Sequence, residues 1–123
     1  MMESKLRLRK AYPQHWYDIS IGNSKSHLTL VIDTQSEQLR CELYIPDSKE
    51  LFAALLDQKE DIGRLLPYTL EWMELPGKKA SRIRAVHDID VNDREEWDSC
   101  FGWLVQAAES FYSVFSEWIG RHV

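Results

Sequence analysis

The residues able to do chemistry are few, and their spacing excludes most of it. Four histidines occur (His15, His27, His87, His122) together with two cysteines, Cys41 and Cys100. The cysteines form no CxxC pair and have no histidine at ligand spacing, so they read as buried free thiols rather than metal ligands or a disulfide. No GxSxG or comparable turn presents a nucleophile to a histidine. The run Asp88-Ile-Asp90-Val-Asn92-Asp93 places oxygen side chains like the start of a calcium loop. That loop also needs Gly at its sixth position and Glu at its twelfth, and here those are Asp93 and Ser99. The run therefore reads as a helix cap with favourable dipole charge. Glu71-Trp72-Met73 lacks the lysine that a metal-dependent nuclease strand would carry. No catalytic residue, metal or cofactor is expected, and the chain reads as a non-enzyme.

One cluster resists a purely structural account. Lys78-Lys79-Ala80-Ser81-Arg82-Ile83-Arg84 runs into a strand pattern whose outward positions are arginines. Arg40, Trp16 and Tyr44 are expected on the same sheet face. Guanidinium groups beside flat aromatics suit phosphate contact and base stacking. Asp18, Glu42 and Glu71 share that face, and cross-strand pairing with the arginines competes with this reading.

The elements that position these groups follow from hydrophobic period. Tyr17, Ile19 and Ile21 alternate with polar neighbours; so do Leu28, Leu30 and Ile32, and then Leu39, Cys41, Leu43 and Ile45. Short turn-forming connections (Gly22-Asn23-Ser24-Lys25 and Gln35-Ser36-Glu37) make these three runs an antiparallel meander with one buried face. Asp47 and Glu50 resemble a capping box for one helix carrying Leu51, Phe52, Leu55, Leu56, Ile62 and Leu66 and stopped by Pro67. Strands over 69–75 and 81–88 follow, joined by Pro76-Gly77-Lys78-Lys79. The last helix carries Trp97, Phe101, Leu104, Ala108, Phe111, Phe115 and Trp118 at alternating steps of four and three. At 1.5 Å per residue it is roughly 40 Å long, against about 24 Å for five strands side by side. It must lie diagonally, break near Gly102, or overhang. An overhang would leave Phe111, Phe115, Trp118 and Ile119 as an apolar patch for a homodimer interface.

The fold expected is α+β: a five-stranded, mainly antiparallel sheet in chain order β-β-β-α-β-β-α, with two helices on one face. A basic arm or edge strand over 1–14 (Lys5, Arg7, Arg9, Lys10) precedes a single domain over 15–123. With 44% apolar residues that domain buries a core without disulfides or metal. The net charge of −5 disfavours a surface that grips nucleic acid all over. No apolar run suggests a signal peptide or a membrane span, so the cytoplasm is the expected location.

Several separated strings are familiar in combination. They are His15-Trp16-Tyr17-Asp18-Ile19-Ser20-Ile21-Gly22, Glu42-Leu43-Tyr44-Ile45, Leu51-Phe52 with Leu55, Leu70-Glu71-Trp72, Lys79-Ala80-Ser81-Arg82-Ile83, and the closing Trp97, Trp103, Phe111 and Phe115. In this order, over roughly 15–121, they resemble the bacterial family called domain of unknown function 4268. The resemblance implies a domain of the kind often found behind a restriction-endonuclease-like domain, with the catalytic carboxylates belonging to that other domain. It brings no catalytic residue to this chain. The expectation is a non-catalytic binding or assembly module, accessory to nucleic-acid-processing or defence-type machinery and homodimeric or bound to a protein partner. The alternative is direct nucleic-acid binding through the Lys78–Arg84 strand and the aromatic face.

Overall fold

The computed structural model describes residues 14–90 and 92–122. Of the expected basic arm or edge strand over 1–14, residues 1–13 lie outside the described residues, as does the Trp16 side chain. Five strands form one antiparallel sheet: β1 (Gln14–Ser20), β2 (His27–Asp33), β3 (Gln38–Ile45), β4 (Leu70–Met73) and β5 (Ser81–Asp88). Their spatial order is β1-β2-β3-β5-β4, so the meander is extended by a hairpin whose second strand lies against β3.

The alternation holds throughout. Leu28, Leu30, Ile32, Leu39, Cys41, Leu43, Ile45, Ile83 and Ala85 form the buried face, with Tyr17 and Ile19 packed partly against it. Helices cover that face, as expected, but among the described residues there are three. Where one helix was expected after β3, α1 (Lys49–Asp57) and α2 (Lys59–Leu65) meet at Gln58, whose φ of −104° and ψ of 19° leave the helical path. The intervening run Asp57-Gln58-Lys59-Glu60-Asp61 has no apolar residue to hold a continuous stripe, so nothing opposes the break. Leu56, expected inward, is exposed, while Ile62 and Leu66 remain buried. The cap also differs: Ser48, not Asp47, accepts from the Leu51 amide at 3.2 Å.

A 3₁₀ turn (Arg94–Glu96), whose Glu95 amide donates to Asp93 Oδ1 at 3.1 Å, leads into α3 (Trp97–His122). This helix does not break at Gly102 and does not overhang. Trp103 stacks on His87 of β5 with ring centroids 4.9 Å apart, and the helix also packs on β3, β2 and α1. A path across the strands resolves the length mismatch. An eight-residue strand is about 26 Å long, so the sheet's diagonal is about 35 Å, close to the helix length.

That path overturns the expected exposed patch. Phe111 and Phe115 are 0% exposed and Ile119 is 1% exposed, all within the chain's own core, and Trp118 packs against that core half-buried. Phe111 and Phe115 also pack on each other at 5.4 Å. The seam on α3 is intramolecular because each turn from Cys100 to Ile119 buries a residue of the same stripe in the domain's own core.

Candidate functional site: the open face of the sheet

Among the described residues all helices lie on one side of the sheet, and they leave its other side uncovered. Strand register arranges its side chains in rows across the strands. One row reads Asp18, Thr29, Glu42, Arg84, Glu71; the next reads Ser20, His27, Tyr44, Arg82, Met73. A third places Val31, Arg40 and Val86 side by side, with Trp16 at its β1 register position. Arg40, Tyr44, Arg82 and Arg84 are thus brought together as the sequence implied. Lys78 and Lys79 are not part of the cluster. They are exposed in the β4–β5 turn at the sheet's end.

Glu42 organises this face. It is 1% exposed, although it points away from the apolar core, because three guanidinium groups cover it. Arg82 Nη1 donates to its Oε1 at 3.1 Å, while Arg40 Nε and Arg84 Nη1 stand 3.5 and 3.8 Å from its Oε2. Two of the three have carboxylates of their own: Arg40 Nη1 lies 3.3 Å from Asp33 Oδ2, and Arg84 Nε donates to Glu71 Oε1 at 2.7 Å. Arg82 is the most exposed of the three and lies over the Tyr44 ring, 5.1 Å from its centroid. His27 packs on the other side of that ring at 5.4 Å. The cross-strand pairing that competed with nucleic-acid contact is therefore formed.

Counted by register, the described part of the face carries Asp18, Asp33, Glu42, Glu71 and Asp88 against Arg40, Arg82 and Arg84, a balance of −2 with His27 neutral. Phosphate contact needs an excess of cations, and here each arginine is already held by a carboxylate. Asp33 was not foreseen as part of this cluster. Its alternation with Thr29 and Val31 was the available signal.

A concavity of about 410 Å³ opens over β1, β2, β3 and β5, reaching from Asp18 and His27 at one side to Tyr44 and Arg82 at the other. Asp18 accepts from Thr29 Oγ1 at 3.0 Å and lies 3.6 Å from His27 Nε2. The imidazole thus faces a carboxylate, not a hydroxyl or thiol, and the nucleophile–base contact of covalent catalysis is not formed there. Among the described residues no group of three His, Cys, Asp or Glu side chains is placed to hold a metal ion. Both thiols are buried. Burial, and then the neighbouring Glu42, pushes the Cys41 thiol far above the ordinary range; burial, Glu96 and Asp93 push Cys100 up as well.

At the hairpin end of the sheet, Lys49 does a job the sequence did not announce. Its ammonium donates to the carbonyls of Glu74 and Ala80 and to Ser81 Oγ, the last two at 2.8 and 3.0 Å. It ties α1 to the β4–β5 turn, where Leu75 and Gly77 take positive φ of 57° and 84°. Only Gly adopts such angles without strain, so the lysine helps hold Leu75 there.

Among the described residues, the fold and site define a one-sided α+β domain with one apolar face covered by helices and an opposite face of paired charges. Comparison with known families identifies it further: the chain belongs to the family described as Domain of unknown function (DUF4268), whose sequence profile matches residues 1–119. No curated protein and no solved structure matched the chain. No helix among the described residues is long and apolar enough to cross a membrane.

Proposed function

We propose that this domain is a non-catalytic binding module that recognises a protein partner through the open face of its sheet. The observation that carries the reading is the buried Glu42 ringed by Arg40, Arg82 and Arg84 on a face that none of the described helices covers. Burying charges on an outer face is a poor way to gain stability, because desolvation offsets much of the attraction. It does hold guanidinium and aromatic groups in fixed positions, and Arg and Tyr are the side chains that dominate protein interfaces. The balance of −2 favours a polypeptide over a nucleic acid as the partner. The family resemblance implies a domain of the kind found behind restriction-endonuclease-like domains, and nucleic-acid-processing machinery is the setting proposed for such a module.

The test is cross-linking in the cells that make the protein, with trapped peptides mapped by mass spectrometry, beside an oligonucleotide titration at low salt. Cross-links concentrated on β1, β2, β3 and β5, lost in Tyr44→Ala/Arg82→Gln and retained in Tyr112→Ala, are expected, with no oligonucleotide binding. Cross-links confined to the helical side overturn the reading. Salt-sensitive oligonucleotide binding, abolished by replacing Lys79, Arg82 and Arg84 with Ala, would establish direct nucleic-acid binding instead.

A further inference from the structure

We infer that the open face takes an extended segment of a cationic polypeptide, carrying two Lys or Arg side chains about six residues apart. The inference rests on the open face being a binding surface and names the chemistry of its occupant. Pairing exhausts the arginines on this face before it exhausts the acids. Arg40 has Asp33, Arg82 has Glu42 and Arg84 has Glu71. The carboxylates left over are Asp18 and Asp88, and they account for the balance of −2.

Both are available to a partner. The Asp18 side chain is 61% exposed; its Oδ1 meets the Thr29 hydroxyl and the His27 imidazole, and neither contact uses Oδ2. Asp88 is exposed at the end of β5, and among the described residues no Lys or Arg stands within ion-pair distance of it. The unmatched charge of the face is therefore anionic, and its complement is a cation at each of these two positions.

Register fixes the distance between them. Asp18 sits in the row of Thr29, Glu42 and Arg84, so Asp88 lies three strands across and four residues along. At about 4.8 Å per strand and about 3.3 Å per residue, that is about 14 Å by about 13 Å, or about 20 Å on the diagonal. An extended chain covers about 20 Å in six residues, and an even separation keeps both side chains on one side of it. The diagonal starts at Asp18 in the concavity and crosses Val31 and Arg40, which also line it. Arg40 is 13% exposed and held down by Asp33 and Glu42, with Val31 beside it, so the middle of the segment meets no unpaired charge and needs none.

The experiment is an amide NMR titration of the full, isotope-labelled chain with the peptide acetyl-Lys-Thr-Val-Thr-Val-Thr-Lys-amide, taken to about 5 mM because so small a contact binds weakly. Shifts are expected at amides of β1, β2, β3 and β5. D18N and D88N should each weaken binding about threefold and D18N/D88N about tenfold, the two sites being too far apart to couple. E109Q, an exposed carboxylate on α3, should leave it unchanged. A peptide of the same composition with its lysines three apart, acetyl-Lys-Thr-Val-Lys-Thr-Val-Thr-amide, should bind at least about threefold more weakly, and one with Glu in place of both lysines should not bind. Asp18 and Asp88 are exposed and outside the Glu42 cluster, so the variants keep their fold, and the same spectra check it. An absence of shifts, equal binding by either control peptide, or an affinity that D18N/D88N leaves unchanged overturns the inference. Cellular cross-links that still fall on the open face would then leave the binding surface standing with a partner of other chemistry, while cross-links confined to the helical side would remove both.

Discussion

Replacing Glu42 with Gln keeps the side chain's shape and removes the charge shared by three arginines. Stripping one partner from a buried ion pair costs about 3–5 kcal/mol when the remaining charge stays buried. Here the remaining charges have relief. Arg82 and Arg84 are 39% and 24% exposed and can hydrate, Arg84 keeps Glu71, and Arg40 keeps Asp33. A loss of about 2–3 kcal/mol is therefore expected. In urea denaturation at neutral pH, with m of about 1.5 kcal/mol/M, the midpoint should fall by about 1.3–2 M. Glu71→Gln is the control: its side chain is 50% exposed, and it should cost under about 0.5 kcal/mol. A Glu42→Gln midpoint indistinguishable from wild type, or equal losses for the two variants, would refute the argument that Glu42 is the charge holding the open face together.

Phe115→Ala should destabilise the chain by about 3–5 kcal/mol and leave no folded monomer with a merely lost interface, because Phe115 is fully buried in the domain's own core; thermal denaturation checks this. Lys49→Met leaves the Glu74 and Ala80 carbonyls without their ammonium donor, at a cost of about 1–3 kcal/mol, and limited proteolysis should newly cut the turn near Gly77. The Cys41 thiol, pushed up by burial, stays protonated in the fold while the unfolded thiol ionises above about pH 8.5. The folded state then binds the extra proton, so stability should fall as pH rises past that value, by up to about 1.4 kcal/mol per unit. Cys41→Val should flatten that alkaline slope, and native Cys41 should resist alkylation until the protein is unfolded.

How much was legible in the sequence can be judged strand by strand. Alternation in Leu28–Ile32, Leu39–Ile45 and Ser81–Asp88 named both the core side and the open side, because a strand's side chains must point alternately whatever it pairs with. The same rule placed Arg40, Tyr44, Arg82 and Arg84 on one face. The period of α3 marked its buried stripe equally well. It could not say what would bury that stripe, and the patch expected at Phe111, Phe115 and Ile119 proved to be core once the helix crossed the sheet. The break at Gln58 was hidden because capping and helix propensity are weak where no apolar residue anchors the turn.

The charge cluster shows the division most clearly. By itself the sequence determined that acids and arginines share the open face, since that depends only on local period. Only the tertiary structure decided which acid each arginine meets. Glu42 and Arg82 are forty residues apart in the chain and touch because β5, not β4, lies beside β3. Strand order is set by how the helices and hairpin close over the core, a sum over distant contacts that no local pattern contains. That order turned a basic strand suited to phosphate into a face of paired charges suited to another protein surface.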